Sequence, residues 1–248
     1  MFLPLALAAA PIAQAGPPAD EAARFDRCAD LARTDPAAAH AEAGRWRLAG
    51  GERVARVCAG LAYAAEGGWA PAAAEFEAAA RLAEGARDGR ADRYWAQAGN
   101  AWLAAGERGK AKAALDAALA SGRLQGFARG EALLDRARAM AADDPAATRG
   151  DLDAALILVP NDPLAWLLSA TLARRQGDVP RAQKDIAEAL RRSPDDASVQ
   201  LEAGNVAALA RDEAGARAAW GEAARIGGDK PAGQQARAAL AQFDQPKP

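Results

Sequence analysis

Few residues in this chain could do chemistry. His40 is the single histidine, and Cys28 and Cys58 are the two cysteines. A structural zinc site needs four soft ligands and is excluded, and a histidine-based triad could use only His40. His40 stands between Ala39 and Ala41 with no acid and serine beside it, which reads as a surface or packed residue rather than a base. The acidic pairs Asp143-Asp144 and Asp195-Asp196, with Asp151 and Asp153, could ligate calcium or form a carboxylate dyad. They lack EF-hand spacing, and their places at interhelix turns and helix starts suit capping at the positive end of the helix dipole. Residues 106–110, GERGK, look like the end of a phosphate loop. The upstream glycine that such a loop needs is missing, and Ala111 stands where Ser or Thr must follow Lys110. No metal, cofactor or catalytic residue is expected, and the chain reads as a non-enzyme.

The elements that carry these residues follow from composition. The 248 residues are long enough for one or two domains with a real core. They include 75 alanines and 51% apolar residues but only 5% aromatics. Alanine loses no side-chain entropy in a helix and lets helices approach closely, so an all-α chain is expected. The net charge of -2 gives no field to hold a polyanion, and the basic residues are scattered. Nucleic acid is therefore not an expected partner.

Residues 1–15, MFLPLALAAAPIAQA, form an uncharged run that closes on Ala13-Gln14-Ala15, which fits signal-peptidase cleavage before Gly16. No Lys or Arg precedes Arg24, so the basic n-region is absent or the true start lies upstream. The run is shorter than the roughly 20 residues of a spanning helix and holds Pro4 and Pro11, so no stable membrane insertion of the mature chain is expected. The expected location is periplasmic or secreted. Export would let Cys28 and Cys58 pair as a disulfide; the alternative is two small buried apolar residues.

A period near 34 organises the rest. Pro160 and Pro194 start the pattern. A small column runs through Gly60, Gly99, Ala170 and Gly204, and a second through Ala72, Ala111, Thr148, Ala182 and Ala216. Four residues beyond the second column stand Phe76, Leu115, Leu152, Ile186 and Trp220; three further stand Ala79, Ala118, Ala155, Ala189 and Ala223. Between the columns lie turns at Gly67-Gly68, Gly106-Glu107, Asp143-Asp144, Gly177-Asp178 and Arg211-Asp212. Asp144-Pro145 and Asp162-Pro163 put an N-cap acceptor before a proline at the first helical position. Each unit is a helical hairpin, and stacking the hairpins buries a continuous core.

The columns resemble tetratricopeptide repeats. Trp95, Ala98, Gly99 and Trp102 match the first-helix motif, and Ala111, Leu115 and Ala118 match the second. Trp166, Ala170, Ala182, Ile186, Ala189 and Pro194 make a further match, as do Gly204, Ala216, Trp220 and Ala223, and Gly60, Tyr63, Trp69, Ala72, Phe76 and Ala79. The resemblance implies a right-handed superhelical solenoid of about five hairpins over residues 53–230, divided 53–86, 92–125, 129–162, 163–196 and 197–230. In the third unit Arg136 stands where a small residue belongs, so its first helix is expected to be rotated or shifted. Residues 16–52 read as a degenerate hairpin cap. Residues 231–248 read as a capping helix and tail, with Gln234, Gln235 and Arg237 toward solvent and Ala238, Leu240 and Phe243 inward. Trp69, Trp95, Trp102, Trp166 and Trp220 are expected in the core. Trp46 lies outside the register and could be exposed, although Leu48 and Val54 nearby point to the core for it too.

The resemblance also implies a concave groove lined by first helices. Arg93, Gln97, Asn100, Thr171, Arg174, Glu202 and Asn205 take the ligand-facing positions. Asn100 and Asn205 match the clamp asparagine of chaperone-binding members, but Ala96 and Leu201 stand where those members carry Lys. With Val57, Leu61, Leu133 and Leu167 as apolar groove positions, an extended or helical protein segment with apolar anchors is the expected ligand. The functional expectation is a non-catalytic protein-binding scaffold of the bacterial cell envelope. Two alternatives stay open: a helical-repeat cell-wall enzyme or carbohydrate-binding domain using Glu202, and a homo-oligomerising repeat protein.

Overall fold

The structure, a computed structural model, describes residues 19–243. The leader read in residues 1–15 and the tail 244–248 lie outside the described residues. Within them are thirteen α-helices: α1 (Ala19–Thr34), α2 (Pro36–Leu48), α3 (Glu52–Ala65), α4 (Trp69–Gly85), α5 (Ala91–Ala104), α6 (Arg108–Ala120), α7 (Gly126–Met140), α8 (Pro145–Leu158), α9 (Pro163–Arg175), α10 (Val179–Arg192), α11 (Ala197–Leu209), α12 (Glu213–Gly227) and α13 (Pro231–Phe243). They pack as consecutive hairpins, each helix against the next, with α5 also meeting α7 and α9 meeting α11. The architecture is an all-α, tetratricopeptide-like solenoid.

The small columns exist because the two helices of a hairpin come nearly into contact. A Cβ placed on Gly99 would lie 2.4 Å from Leu115 Cγ, one on Gly60 2.6 Å from Phe76 Cε1, and one on Gly204 2.4 Å from Trp220 Cδ1. In these three hairpins the large residue of the second helix thus occupies the space that the glycine leaves. Leu115, Phe76 and Trp220 are buried, and full burial of such a side chain contributes about 1.5–3 kcal/mol. Alanines that have no exposed surface, Ala72, Ala79, Ala111 and Ala118 among them, let the next hairpin close on the last.

Helix ends are set by aspartate and glycine. Asp144 Oδ1 accepts from Ala147 N at 2.9 Å, and Asp162 Oδ1 from Leu164 N at 2.9 Å, each before a proline. Asp196 and Asp212 cap α11 and α12 in the same way. Gly67, Gly106 and Gly177 end α3, α5 and α9 at φ of +76°, +78° and +76°. Arg211 holds the corresponding place after α11 at φ +63°, where an L-residue is disfavoured. Gly106 is therefore a hairpin turn, and Lys110 packs over the Trp102 ring at 4.5 Å.

A disulfide joins Cys28 on α1 to Cys58 on α3, with Cα atoms 5.8 Å apart. Trp46 is buried, beside Val54 and Ala55, with Arg24 stacked 4.8 Å from its ring. Leu48, by contrast, is exposed. His40 packs on Tyr63, ring centroids 4.4 Å apart, and its Nε2 lies 3.1 Å from Glu66 Oε2.

Several sequence expectations change here. Trp69, expected in the core, is 39% exposed because it starts α4 at the rim of a cleft. Trp166 is only half-buried, with Arg192 stacked 5.0 Å from its ring and its Nε1 donating to Pro160 O. Leu133 and Val57, read as groove positions, are buried in the core cluster. On α13 it is Ala236, not Ala238, that is buried against α12, since Ala238 falls on the exposed face.

Candidate functional site

Three first helices, α3, α5 and α7, wall a cleft of about 400 Å³. Leu61 and Ala64 of α3 and Trp69 and Phe76 of α4 supply an apolar side, continued by Leu124. Arg93, Ala96, Gln97 and Asn100 project from α5, and Ala128, Glu131, Ala132 and Asp135 from α7. The close approach of α5 to α6 at Gly99 fixes which face α5 turns to the cleft, because the opposite face is locked against Leu115.

The α7 residues show what happened to the irregular unit. Asn100 Nδ2 donates to Asp135 Oδ2 at 2.9 Å across a sequence separation of 35. Ala128, Glu131 and Ala132 face the cleft from the same helix as Asp135. Arg136, at the column position, forks onto Asp151, at 2.7 and 2.8 Å, and reaches Asp116 at 2.9 Å. A bidentate arginine between α6 and α8 stands where the other units carry Gly or Ala.

The seven groove residues read from sequence separate into three groups. Arg93, Gln97 and Asn100 line the cleft between α3, α5 and α7. The side chains of Arg93 and Gln97 have no partner among the described residues, and both also line a recess beside α1 with Glu21, Phe25 and Tyr94. Thr171 lines a separate recess of about 270 Å³ with Leu168, Arg175 and Arg138. Arg174, Glu202 and Asn205 bond to one another. Arg174 Nε donates to Glu202 Oε1 at 2.6 Å, Asn205 Nδ2 donates to Glu202 Oε2 at 3.0 Å, and Trp220 Nε1 donates to Asn205 Oδ1 at 3.1 Å. Both oxygens of Glu202, which is 6% exposed, are held by internal donors. That arrangement ties α9, α11 and α12 together and engages both oxygens of Glu202.

Glu131, Asp135, Trp69 and Leu124 were missed. The signal was present in part: Glu131 and Asp135 stand one helical turn apart on a first helix, but the sequence pattern singled out only Leu133 on α7 as a groove position. Glu131 has no hydrogen bond or ion pair among the described residues, and its carboxyl is pushed above the usual carboxylate range by burial, then by the charges of Asp162 and Asp135. Asp135 is partly matched by Arg138 at 2.8 Å. Among the described residues no group of three His, Cys, Asp or Glu is placed to hold a metal ion, and no helix is long and apolar enough to cross a membrane.

No protein-family model and no curated protein sequence matches the chain. Solved structures do. YrrB, a TPR protein with an unusual peptide-binding site, is 19% identical with a TM-score of 0.57, over 75% of this chain and 92% of that one. PilF of Pseudomonas aeruginosa is 16% identical with a TM-score of 0.70, over 89% of this chain and 99% of that one. A tetratricopeptide repeat protein from Parabacteroides merdae is 13% identical with a TM-score of 0.50, over 91% and 99%. At these identities the likeness establishes the fold, a tetratricopeptide-type stack of helical hairpins.

Proposed function

We propose that the chain is a non-catalytic scaffold that binds a protein or peptide segment in the cleft between α3, α5 and α7. One observation carries this reading: the cleft combines exposed apolar surface at Trp69 with polar side chains, Arg93 and Gln97, that have no partner among the described residues. Everywhere else the arginines are largely spent on neighbouring acids. Apolar anchors supply the affinity and a few polar groups set orientation. Helices locked by near-contact at Gly60 and Gly99 present the surface already ordered, which lowers the entropy lost on binding. The peptide-binding site of YrrB, on a similar fold, supports the same reading by analogy.

Five repeats over residues 53–230 and an envelope location belong to this proposal. The Cys28–Cys58 disulfide supports an oxidising compartment, as does the leader-like run of residues 1–15.

The test is photo-crosslinking. A crosslinking residue is placed at Gln97 in the cleft and, separately, at exposed Ile157 on α8, and each full-length variant is offered a phage-displayed random peptide library. Selected peptides are expected to crosslink at position 97 and not at 157, and to lose binding in Ala96→Trp, which fills the cleft. Binding indifferent to Ala96→Trp in a chain with an unchanged helical melt would sink the proposal.

A further inference from the structure

We infer that the cleft selects a segment with a basic residue next to an apolar anchor, the base pairing with Glu131. This rests on the cleft being the binding site.

Half-buried and buried carboxylates are matched by arginine or a backbone donor: Glu42 by Arg24 at 2.7 Å, Glu75 by Arg56 at 3.1 Å, Asp151 by Arg136, Glu202 by Arg174. Glu131 departs from that rule. It lines the cleft half-buried, with no hydrogen bond or ion pair among the described residues. Its neighbours make the omission costly, since Asp135 stands one turn further on the same helix and Asp162 caps the next first helix. Like charges at that spacing on a helix repel. Arg138 is directed to Asp135, with its nitrogen 2.8 Å from Oδ1, and does not reach Glu131. Arg93 lies in the same cleft on α5 but is exposed and forms no ion pair with Glu131.

The missing cation is therefore expected from outside. A Lys or Arg of the partner that enters between α5 and α7 meets Glu131 where solvent is already partly excluded, so the pair is stronger than one at the open surface. The adjoining wall of Leu61, Trp69 and Phe76 accepts an aliphatic or aromatic side chain of the same segment. Arg93, at the first turn of α5, repels a second base at that end and fixes which way the segment runs. This preference is opposite in sign to that of a clamp for an acidic chain terminus.

The probe is an array of synthetic dodecapeptides in matched pairs, each with one Leu, Phe or Trp followed within a helical turn by Lys or by Glu. The full chain is applied, and then Glu131→Gln, Asp195→Asn and Ala96→Trp. The expected result is that Lys members bind about tenfold more tightly than their Glu partners, a difference of the size a single charge-assisted contact gives. That advantage should vanish in Glu131→Gln and persist in Asp195→Asn, which removes an exposed acid at a distant turn. Circular dichroism of Glu131→Gln confirms an intact fold. Equal binding of both members, abolished by Ala96→Trp, overturns the basic preference and leaves the cleft standing. A Lys preference that survives Glu131→Gln also overturns it, as mere attraction to an acidic chain. Binding that ignores Ala96→Trp overturns the cleft and this inference together.

Discussion

Arg174 on α9 and Glu202 on α11 meet at 2.6 Å between Nε and Oε1, joining two first helices that are neighbours in the stack. Arg174 is partly solvent-exposed, whereas Glu202 is buried, so removing the arginine leaves a desolvated carboxylate without its cation. Arg174→Ala is expected to cost about 2 kcal/mol, below the full cost of breaking a wholly buried pair. Glu202→Gln in the same chain should recover part of the loss. Urea melts of the single and double variants read this coupling, and additive losses would show that the pair does not hold α9 to α11.

Gly99 is required by a distance. Alanine is the better helix former by about 1 kcal/mol, yet its Cβ would sit 2.4 Å from Leu115 Cγ. Gly99→Ala is therefore expected to destabilise by about 1–3 kcal/mol, the usual cost of overpacking. A thermal melt that rises in this variant would contradict the close approach of α5 to α6.

Arg211 ends α11 at φ +63°, where equivalent turns carry Gly67, Gly106 and Gly177. A left-handed arginine costs about 1–2 kcal/mol, part of which is offset by the greater freedom of glycine in the unfolded chain. Arg211→Gly is expected to stabilise by roughly 0.5 kcal/mol. Denaturant midpoints of the two proteins give the comparison.

The Cys28–Cys58 bridge fastens α1 to α3 across a separation of 30 residues. Without reductant the protein should present no alkylatable thiol, even when denatured. Reduction, or the double variant Cys28→Ser with Cys58→Ser, should lower stability by about 2–4 kcal/mol. Full labelling of both thiols in unreduced protein would exclude the bridge.

Glu131 carries a pH signature. Its carboxyl is raised by burial and by Asp162 and Asp135, so the folded state holds its proton to higher pH than the unfolded chain does. Stability is then lost as pH rises through the folded-state value, because the charged form is the disfavoured one. Glu131→Gln removes that loss. The variant should melt above the parent at pH 7.5, with the gap closing toward the ordinary carboxylate value of about 4.3. A gap independent of pH would mean that the substitution acts through packing instead.

The helical hairpins were legible because their determinants are local or periodic. Asp-Pro pairs cap a helix by themselves, glycine at a helix end accepts a left-handed turn, and the glycine and large-residue columns carry the near-contact within one hairpin. Where the pattern broke, at Arg136, the sequence still marked the place but not the remedy. The fork of Arg136 onto Asp151 and its reach to Asp116 depend on how α6, α7 and α8 settle together.

Tertiary structure alone decided which polar side chains are free. Arg93, Gln97, Arg174 and Glu202 all stand on first helices, and nothing in the sequence of one helix tells which of them finds a partner on another. Arg174 and Glu202 neutralise each other because α9 and α11 bring them within bonding distance, whereas Arg93 and Gln97 face a cleft in which no described residue pairs with them. Glu131 stands in the cleft for the same reason: residue type and helical spacing are properties of the chain, but charge pairing depends on distances that only the packed helices set.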